Sequence, residues 1–286
     1  MILKKNIFPF YHTISDKPLQ HIKNLYPVKS VDQFKRELDF FETHYTNISL
    51  KDLIKLKNEN NLVDNNYFHL SFDDGLKECN EVILEILKER NLDATFFINP
   101  NFIGNKDLFY RYKVALIIEQ INDLALKNRL LNFTIKDTEE INQLFEKHKK
   151  SNYFDIYMSD TDIKNLIKIG FTIGAHSMNH PYYHHISFEE QVKETEDSLN
   201  YIQQHYKLDY KAFSFPFTDF GVSKDFFNEI SVDLSFGTAG IKDDIIATNI
   251  QRLPMDNNLN NPAIFIYKNL LLYQIKKALS YNIVKH

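Results

Sequence analysis

The sequence contains no tryptophan, seven glycines and one cysteine among its 286 residues. A single cysteine, Cys79, excludes an internal disulfide and a zinc site built from several thiolates, so any metal ion must be held by histidine and carboxylate side chains. Basic residues are not in excess either, because 34 Lys and Arg stand against 38 Asp and Glu. The formal net charge of -4 provides no overall basic field, and we expect no nucleic-acid partner.

Long apolar runs are also missing. No window reaches the roughly 18 uninterrupted apolar residues of a membrane span, so we expect no transmembrane segment. The first ten residues include Lys4 and Lys5 but lack the apolar stretch and the small-residue cleavage site of a secretory signal. We therefore expect a cytoplasmic protein, although an extracytoplasmic protein trimmed of its leader would look the same. The sequence does not indicate the oligomeric state.

Apolar residues are nevertheless plentiful, at 43% of the chain, and are sufficient for one sizeable core. Short segments rich in β-branched or aromatic residues alternate with helical patterns, which predicts an α/β fold whose parallel sheet closes, or nearly closes, into a barrel. We treat residues 1–286 as a single domain. The predicted strands are Ile7–His12, Phe68–Asp73, Ala94–Ile98, Phe171–Ala175, Ala212–Phe217, Leu234–Thr238 and Ile250–Met255.

Capping residues predict where several helices begin. Ser187 with Glu190 fits a capping box, and Ser159 with Asp162 fits a weaker one. Asn261 and Pro262 precede the apolar stretch 264–279, which we expect to pack against the sheet, with a membrane-surface or dimer helix as the alternative. Residues from about 105 to 157 are helical in pattern and contain no Gly or Pro, so we predict a helical insertion over the barrel.

Two acidic residues follow the second predicted strand, in the order Asp73, Asp74 and Gly75. Active sites of α/β barrels lie at the carboxyl ends of the strands, where this pair stands. Adjacent side chains on a strand point to opposite faces, but a positive φ at Gly75 would allow both carboxylates to enter one pocket. An ordinary solvated turn explains the same three residues equally simply.

Two histidines follow the strand Phe171–Ala175, in the segment His176-Ser177-Met178-Asn179-His180-Pro181. Imidazoles four residues apart can bind one divalent ion if the segment forms a turn, and Pro181 limits helix formation beyond them. A lone histidine here would be a core or surface residue. The pair, next to a strand that ends in two aspartates, favours a shared metal site with coordination positions left for water and substrate.

The segments SFDDG (71–75) and HSMNHP (176–181) resemble the first two motifs of the polysaccharide deacetylases, carbohydrate esterase family four. Ser71 replaces the usual threonine of the first motif. The resemblance covers nearly the whole chain apart from the insertion and the last helix, and implies an irregular (β/α) barrel. It also implies that Asp73 is the catalytic base and that Asp74, His176 and His180 bind one divalent ion, zinc first, with Co, Ni or Fe as alternatives.

The residue that would act as the general acid, protonating the departing nitrogen, departs from the family pattern. The family carries a histidine in a Leu-x-His motif near the carboxyl end, and nothing similar follows Arg252 in this sequence. His12 instead ends the first predicted strand, as in a circularly permuted branch of the family with an N-terminal Tyr-His strand. First and last strands are neighbours in a closed barrel, so we predict that His12 is the acid, with a structural histidine as the alternative.

A further departure lies in Phe213-Ser214-Phe215-Pro216-Phe217, which resembles the Arg-x-Pro-Tyr motif of the family. Ser214 replaces the arginine that orients the catalytic aspartate, and Phe217 replaces the tyrosine. Arg252 is our candidate for supplying that charge from another strand. Phe217 and Tyr182 are candidates for contacts with a sugar ring, while a solvated aromatic loop explains Tyr182 equally well.

The resemblance thus implies a hydrolase that removes an N-acetyl group, with an O-acetyl group as the less favoured target, from a glycan or glycan precursor. A non-catalytic carbohydrate-binding protein is the first alternative, because the motif arginine is missing. The second alternative is another metal-dependent barrel hydrolase acting on amides or phosphates, which would require additional His or Asp ligands at other strand ends.

Overall fold

The computed structural model describes residues 4–59, 61–150, 154–256, 258 and 261–286. Among these residues the strands are β1 Pro9–Tyr11, β2 Thr46–Asn47, β3 Tyr67–Phe68, β4 Leu70–Phe72, β5 Ala94–Ile98, β6 Thr172–Ala175, β7 Ala212–Ser214, β8 Leu234–Gly237, β9 Asp243–Asp244, β10 Asn249–Gln251, β11 Leu253–Pro254 and β12 Ile283–Val284. Eight of them form the main sheet in the order β10-β8-β7-β6-β5-β4-β1-β11. All pairs in this sheet are parallel. The predicted α/β barrel is therefore confirmed.

The predicted strand Ile250–Met255 is divided in the structure. Its first part belongs to β10, at one end of the sheet, and its second part is β11, at the other end, with only Arg252 between them. The main sheet consequently has eight strands, one more than the predicted seven. The chain itself connects the two ends of the sheet at Arg252, so the barrel is almost closed.

The helices lie outside the barrel or cross its rim. In the described part of the chain they are α1 Val31–His44, α2 Leu50–Asn58, α3 Leu84–Arg90, α4 Tyr110–Ile117, α5 Leu124–Leu130, α6 Thr138–His148, α7 Asp160–Lys168, α8 Phe188–Tyr206, α9 Phe226–Glu229 and α10 Pro262–Ala278. Helices α4, α5 and α6 occupy the predicted insertion. None of the described helices combines the length and the apolarity needed to cross a bilayer.

The predicted helix starts are confirmed. Ser159 and Ser187 each accept a hydrogen bond from the backbone N–H three residues later and complete capping boxes with Asp162 and Glu190. The side chain of Asn261 caps α10, which begins at Pro262, two residues before the predicted apolar stretch. These local bonds satisfy backbone donors that a helix leaves free at its first turn.

Successive side chains of the barrel strands point alternately to the outer face of the sheet and to the inside of the barrel. On β4, Phe72 faces outward and contacts Phe34 of α1, with ring centroids 6.0 Å apart. Inside the barrel, Phe97 of β5 contacts Phe236 of β8, at 5.3 Å between centroids. Apolar packing therefore fixes both faces of the sheet and leaves the carboxyl ends of the strands as the place for polar side chains.

Candidate metal centre and catalytic site

The chain turns sharply at the end of β4. Asp74 and Gly75 follow each other with φ angles of 70° and 67°, so two successive residues have left-handed backbone conformations. The prediction assigned this turn to Gly75 alone, whereas the structure shows that Asp74 shares it. Asp is one of the few residue types besides glycine that tolerates this region. The turn brings the carboxylate of Asp74 to the same end of the barrel as Asp73.

A comparable turn follows β6, where Ser177 and His180 have φ angles of 60° and 55°. It brings both histidines to Asp74. The Nε2 atoms of His180 and His176 lie 3.1 Å and 3.4 Å from Oδ1 of Asp74. Two donor atoms bound to one zinc ion at about 2.0–2.1 Å in tetrahedral geometry are about 3.3 Å apart. The structure thus assembles the three predicted ligands, from two distant strand ends, at the spacing of a metal centre.

The three side chains fit a metal ion in their hydrogen bonding as well. Each is at most 4% exposed. Within the described residues, Oδ1 of Asp74 and both ring nitrogens of His180 are buried without a hydrogen-bond partner, which is costly for polar atoms. Nδ1 of His176 donates to the carbonyl oxygen of Ser214 at 2.8 Å, so its Nε2 keeps a free lone pair. A divalent cation between Oδ1 of Asp74 and the Nε2 atoms of His176 and His180 would satisfy these three ligand atoms.

Asp73 lies beside this cluster and is bound by Arg252. The two terminal nitrogens of Arg252 donate to the two carboxylate oxygens of Asp73 at 2.8 Å and 2.7 Å. Both residues are fully buried in the barrel. Burial alone would raise the pKa of Asp73, but the adjacent guanidinium, followed by His176, lowers it below its usual value. The carboxylate is therefore held ionised and in one orientation.

Ser214, at the position of the motif arginine, takes part in the same network. Its hydroxyl oxygen accepts a hydrogen bond from Nη2 of Arg252 at 2.6 Å and lies 3.2 Å from Oδ2 of Asp73. Ser71, which replaces the threonine of the first motif, accepts a hydrogen bond from Nη1 of Arg252 at 2.9 Å. Two small hydroxyl side chains therefore leave room for a guanidinium that enters from the junction of β10 and β11.

His12, after β1, lines the same cavity as Asp73 and Asp74. Its Nδ1 donates to Oδ2 of Asp256 at 2.6 Å, and its backbone N–H approaches Oδ1 of the same residue at 3.3 Å. Burial lowers the pKa of His12, but the carboxylate of Asp256 outweighs this effect and raises the pKa to about 9. His12 is not one of the side chains that converge on Asp74 in the described structure.

Two tyrosines next to the candidate metal cluster were not predicted from the sequence. The hydroxyl of Tyr112, from α4 of the predicted insertion, donates to Oδ2 of Asp74 at 2.7 Å. The hydroxyl of Tyr26 lies 3.0 Å from that of Tyr112, and the Tyr26 ring packs against His12 with centroids 5.0 Å apart. Neither tyrosine belongs to a local motif, and Asp256 was missed for the same reason.

Aromatic side chains form the wall of the site. Phe217 packs against the ring of His180 at 4.8 Å between centroids, and Tyr182 lies behind it, 5.6 Å from Phe217. Phe217 has a φ of 59°, a conformation that is unfavourable for a bulky residue and often found at functional sites. A cavity of about 350 Å³ is lined by Phe217 together with His12, Tyr26, Asp73, Asp74 and Asp256.

Comparisons with known proteins agree with this arrangement. Residues 61–230 match the family model "Polysaccharide deacetylase", which is more than half of the chain. This segment contains both motifs but neither His12 nor Arg252. No curated protein sequence matches the chain.

Solved structures of low sequence identity share the fold. The Streptococcus pyogenes deacetylase PplD in complex with acetate is 17% identical, with a TM-score of 0.61 over 94% of this chain and 97% of its own. IcaB from Ammonifex degensii is 14% identical, with a TM-score of 0.61 over 93% and 96%. A de-N-acetylase from Aggregatibacter actinomycetemcomitans is 15% identical, with a TM-score of 0.61 over 92% and 99%. The similarity to each extends over nearly the full length of both chains.

Proposed function

The chain belongs to the polysaccharide deacetylase family, and from this premise we propose that it is a metal-dependent hydrolase of N-acetyl groups on a polysaccharide or a glycan precursor. O-acetyl groups are the second candidate. The observation that carries the proposal is the convergence of Asp74, His176 and His180 next to the ionised carboxylate of Asp73. One of the structural neighbours is a de-N-acetylase, which agrees with the choice of an amide substrate.

Asp74, His176 and His180 would hold one divalent ion. Zinc is our first choice because it commonly binds histidine and carboxylate at three-ligand catalytic sites, and Co, Ni or Fe suit the same donors. When bound, the ion supplies Lewis-acid chemistry that polarises the acetamide carbonyl and lowers the pKa of water. The donor set of two imidazoles and one carboxylate leaves coordination positions open for this purpose.

The protein's own residues then account for the proton transfers. Asp73 accepts the proton of the attacking water, whose oxygen forms a bond to the carbonyl carbon. His12 donates a proton to the nitrogen as the carbon–nitrogen bond breaks, because an amine leaves poorly without one. Acetate and a free amine are the products. Arg252 keeps Asp73 oriented, and Asp256 keeps His12 protonated and directed into the cavity.

Tyr112 is a positioning residue in this proposal. Its hydroxyl bonds to the one oxygen of Asp74 that does not face the histidines, and so fixes the rotation of the ligand carboxylate. Hydrogen bonds of this kind orient metal ligands in many proteins. The predicted insertion therefore contributes to the metal centre as well as covering the barrel.

A non-catalytic glycan-binding protein was the first alternative because the motif arginine is replaced by Ser214. The bidentate contact of Arg252 with Asp73 supports the catalytic proposal instead, since a base oriented by a guanidinium has no evident purpose in a protein that only binds sugars.

Acetate release tests the proposal. Metal-loaded protein should release acetate from chitooligosaccharides or acetylated glucosamine polymers, and less from O-acetylated glycans. Asp73→Asn and His12→Ala should each reduce the rate at least about 100-fold, while His205→Ala, which removes a surface histidine on α8, should leave it unchanged. Glycan binding without acetate release across the whole panel would favour the alternative.

A further inference from the structure

Helix α10 is apolar on both sides. Ile266, Leu270 and Tyr273 are buried against the rest of the protein. The opposite side also carries large apolar side chains, which are 38% to 67% exposed: Ile264, Tyr267, Leu271, Leu272 and Ile275. Residues three or four positions apart lie on one face of a helix, so these side chains form a continuous stripe, which we call the outer face.

The outer face extends past the end of the helix. Leu279 and Tyr281 are 62% and 72% exposed. Of the fifteen large apolar residues that are exposed in the described part of the chain, seven lie between 264 and 281. Soluble proteins expose single apolar side chains routinely, whereas a contiguous group of this size marks an interaction surface.

All the lysine and acidic positions in the segment that carries the outer face are occupied by lysine. Residues 261–286 include Lys268, Lys276, Lys277 and Lys285 and no Asp or Glu, although the whole chain has a net charge of -4. Lys268 is exposed and lies within the apolar stripe, next to Tyr267. A lysine in this position can extend its ammonium group away from an apolar environment while its methylene groups remain in it.

This charge distribution argues against a second copy of the chain as the partner. A two-fold dimer would place the same face against itself, so lysines from both copies would lie at the interface with no acidic residue on the helix to neutralise them. An anionic membrane surface accepts both features, because apolar side chains enter the boundary between headgroups and acyl chains and lysines bind lipid phosphates.

We propose that the outer face of α10 binds the surface of anionic membranes and holds the enzyme there without crossing the bilayer. The proposal rests on exposure and charge and is independent of the chemistry in the barrel.

Flotation of the full chain with lipid vesicles tests this proposal. The protein should bind vesicles of equal parts phosphatidylcholine and phosphatidylglycerol, bind pure phosphatidylcholine less well, and lose binding to anionic vesicles as salt is added. Replacing Leu271 and Ile275 by Gln together should reduce the partition coefficient at least about tenfold. Lys268→Gln should reduce binding to anionic vesicles about fivefold and leave binding to neutral vesicles nearly unchanged.

The matched control replaces two exposed leucines elsewhere. Leu124 and Leu131, in and beside α5, are 71% and 54% exposed, and replacing both by Gln should leave vesicle binding unchanged. Circular dichroism melts check that each variant is folded, and Lys268→Gln provides a test even if the apolar double variant is unstable.

Three results would overturn the proposal. The first is no binding to anionic vesicles, and the second is equal loss of binding in the control variant. The third is a dimer, seen by analytical ultracentrifugation, that dissociates when Leu271 and Ile275 are replaced and that does not bind vesicles, which would assign the face to a second copy of the chain. None of these measurements requires hydrolysis, so they do not depend on the proposed function.

Discussion

Two clusters in this molecule have nearly the same composition. One is Asp74 with His176 and His180, and the other is Asp219 with Asp244 and His286. In each cluster the ligand-type atoms lie within 4.8 Å of one another. The first cluster has one carboxylate and two imidazoles, and the second has two carboxylates and one imidazole. They differ in whether protein hydrogen-bond donors lie between the ligand-type atoms, and this difference indicates which cluster is suited to a metal ion.

In the second cluster, protein donors occupy the space that a cation would need. The side-chain amide nitrogens of Asn249 and Gln251 each donate to both carboxylates. Their oxygens are already used, because Oδ1 of Asn249 accepts from Ser235 and Oε1 of Gln251 accepts from the N–H of Ala239. Both amides are thus fixed with their donors inward, and the cluster joins β10 to Asp219, Asp244 and His286 as a polar clamp.

In the first cluster, by contrast, Oδ1 of Asp74 and Nε2 of His180 are buried 3.1 Å apart, and neither has a hydrogen-bond partner in the described structure. The lesson is that residue types and spacing do not by themselves identify a metal site. The hydrogen-bond state of the ligand atoms does, because a site built for a cation leaves lone pairs unused.

The largest expected effect comes from removing one of the proposed metal ligands. His176→Ala should weaken metal binding more than about 100-fold, beyond the range for residues that only orient ligands, and should abolish acetate release. Metal content after dialysis and titration calorimetry measure the affinity. Asp219→Asn is the matched control from the clamp and should retain one ion per chain. Loss of the ion in Asp219→Asn with retention in His176→Ala would mean that the clamp, and not the first cluster, binds the ion.

Breaking the buried ion pair between Arg252 and Asp73, beside the proposed metal cluster, should have the next largest effect. Arg252→Met leaves the carboxylate of Asp73 buried and uncompensated, which should lower the free energy of unfolding by about 3–5 kcal/mol. Combining it with Asp73→Asn should restore part of that loss, because no charge then remains buried, while activity stays absent. Urea denaturation of the wild type, Arg252→Met, Asp73→Asn and the double variant measures the coupling energy between the two side chains. A cost below about 1 kcal/mol for Arg252→Met would show that the guanidinium does not act through Asp73.

Tyr112→Phe should have a smaller effect. It tests whether Tyr112 orients the carboxylate of Asp74 without being a metal ligand itself. The variant keeps the ring and loses the hydrogen bond to Asp74, so metal affinity should fall about tenfold while the ion remains bound at saturation. The d–d spectrum of the cobalt-loaded protein should shift, since the ligand carboxylate is free to rotate. Tyr157→Phe, in which the lost hydroxyl bonds to the backbone of Phe109, is the control and should leave affinity and spectrum unchanged.

The first cluster could be anticipated from the sequence because its residues follow strands directly. Parallel strands end at one edge of a barrel, so Asp74 and His176 had to lie near each other once β4 and β6 were recognised. Capping boxes were predictable for a similar reason, since they involve residues three positions apart. The division of the last predicted strand at Arg252 was not predictable, because it depends on which neighbours the two halves pair with.

The clamp and the tyrosine contacts lay beyond the sequence analysis on physical grounds. Asp219 lies in the loop after β7, Asp244 lies in the two-residue strand β9, and His286 follows the two-residue strand β12. The three residues are distant along the chain and belong to no common motif. Tyr112 lies in a helix that is buried on most sides, and burial alone does not indicate that its hydroxyl reaches a carboxylate. Long-range contacts made by single side chains leave no periodic signal in the sequence.

The smallest expected effect is a pH dependence confined to the clamp. Burial lowers the pKa of His286, but its hydrogen bond to Asp244 and the charges of Asp244 and Asp219 outweigh this and raise the pKa above 6.5. Protonated His286 therefore stabilises the folded state fully below about pH 6.5, and this contribution is lost as the pH rises through the folded-state value.

His286→Gln should accordingly cost more stability at pH 6 than at pH 9, by up to about 1 kcal/mol, as measured by urea denaturation. His205→Gln, at an exposed histidine paired with Asp160, provides the control for a surface ion pair. A cost that is equal at both pH values would mean that the two amide side chains hold the carboxylates without help from a positive charge. The amide donors of Asn249 and Gln251 alone would then distinguish the clamp from the metal cluster, and the charge of His286 would play no part in it.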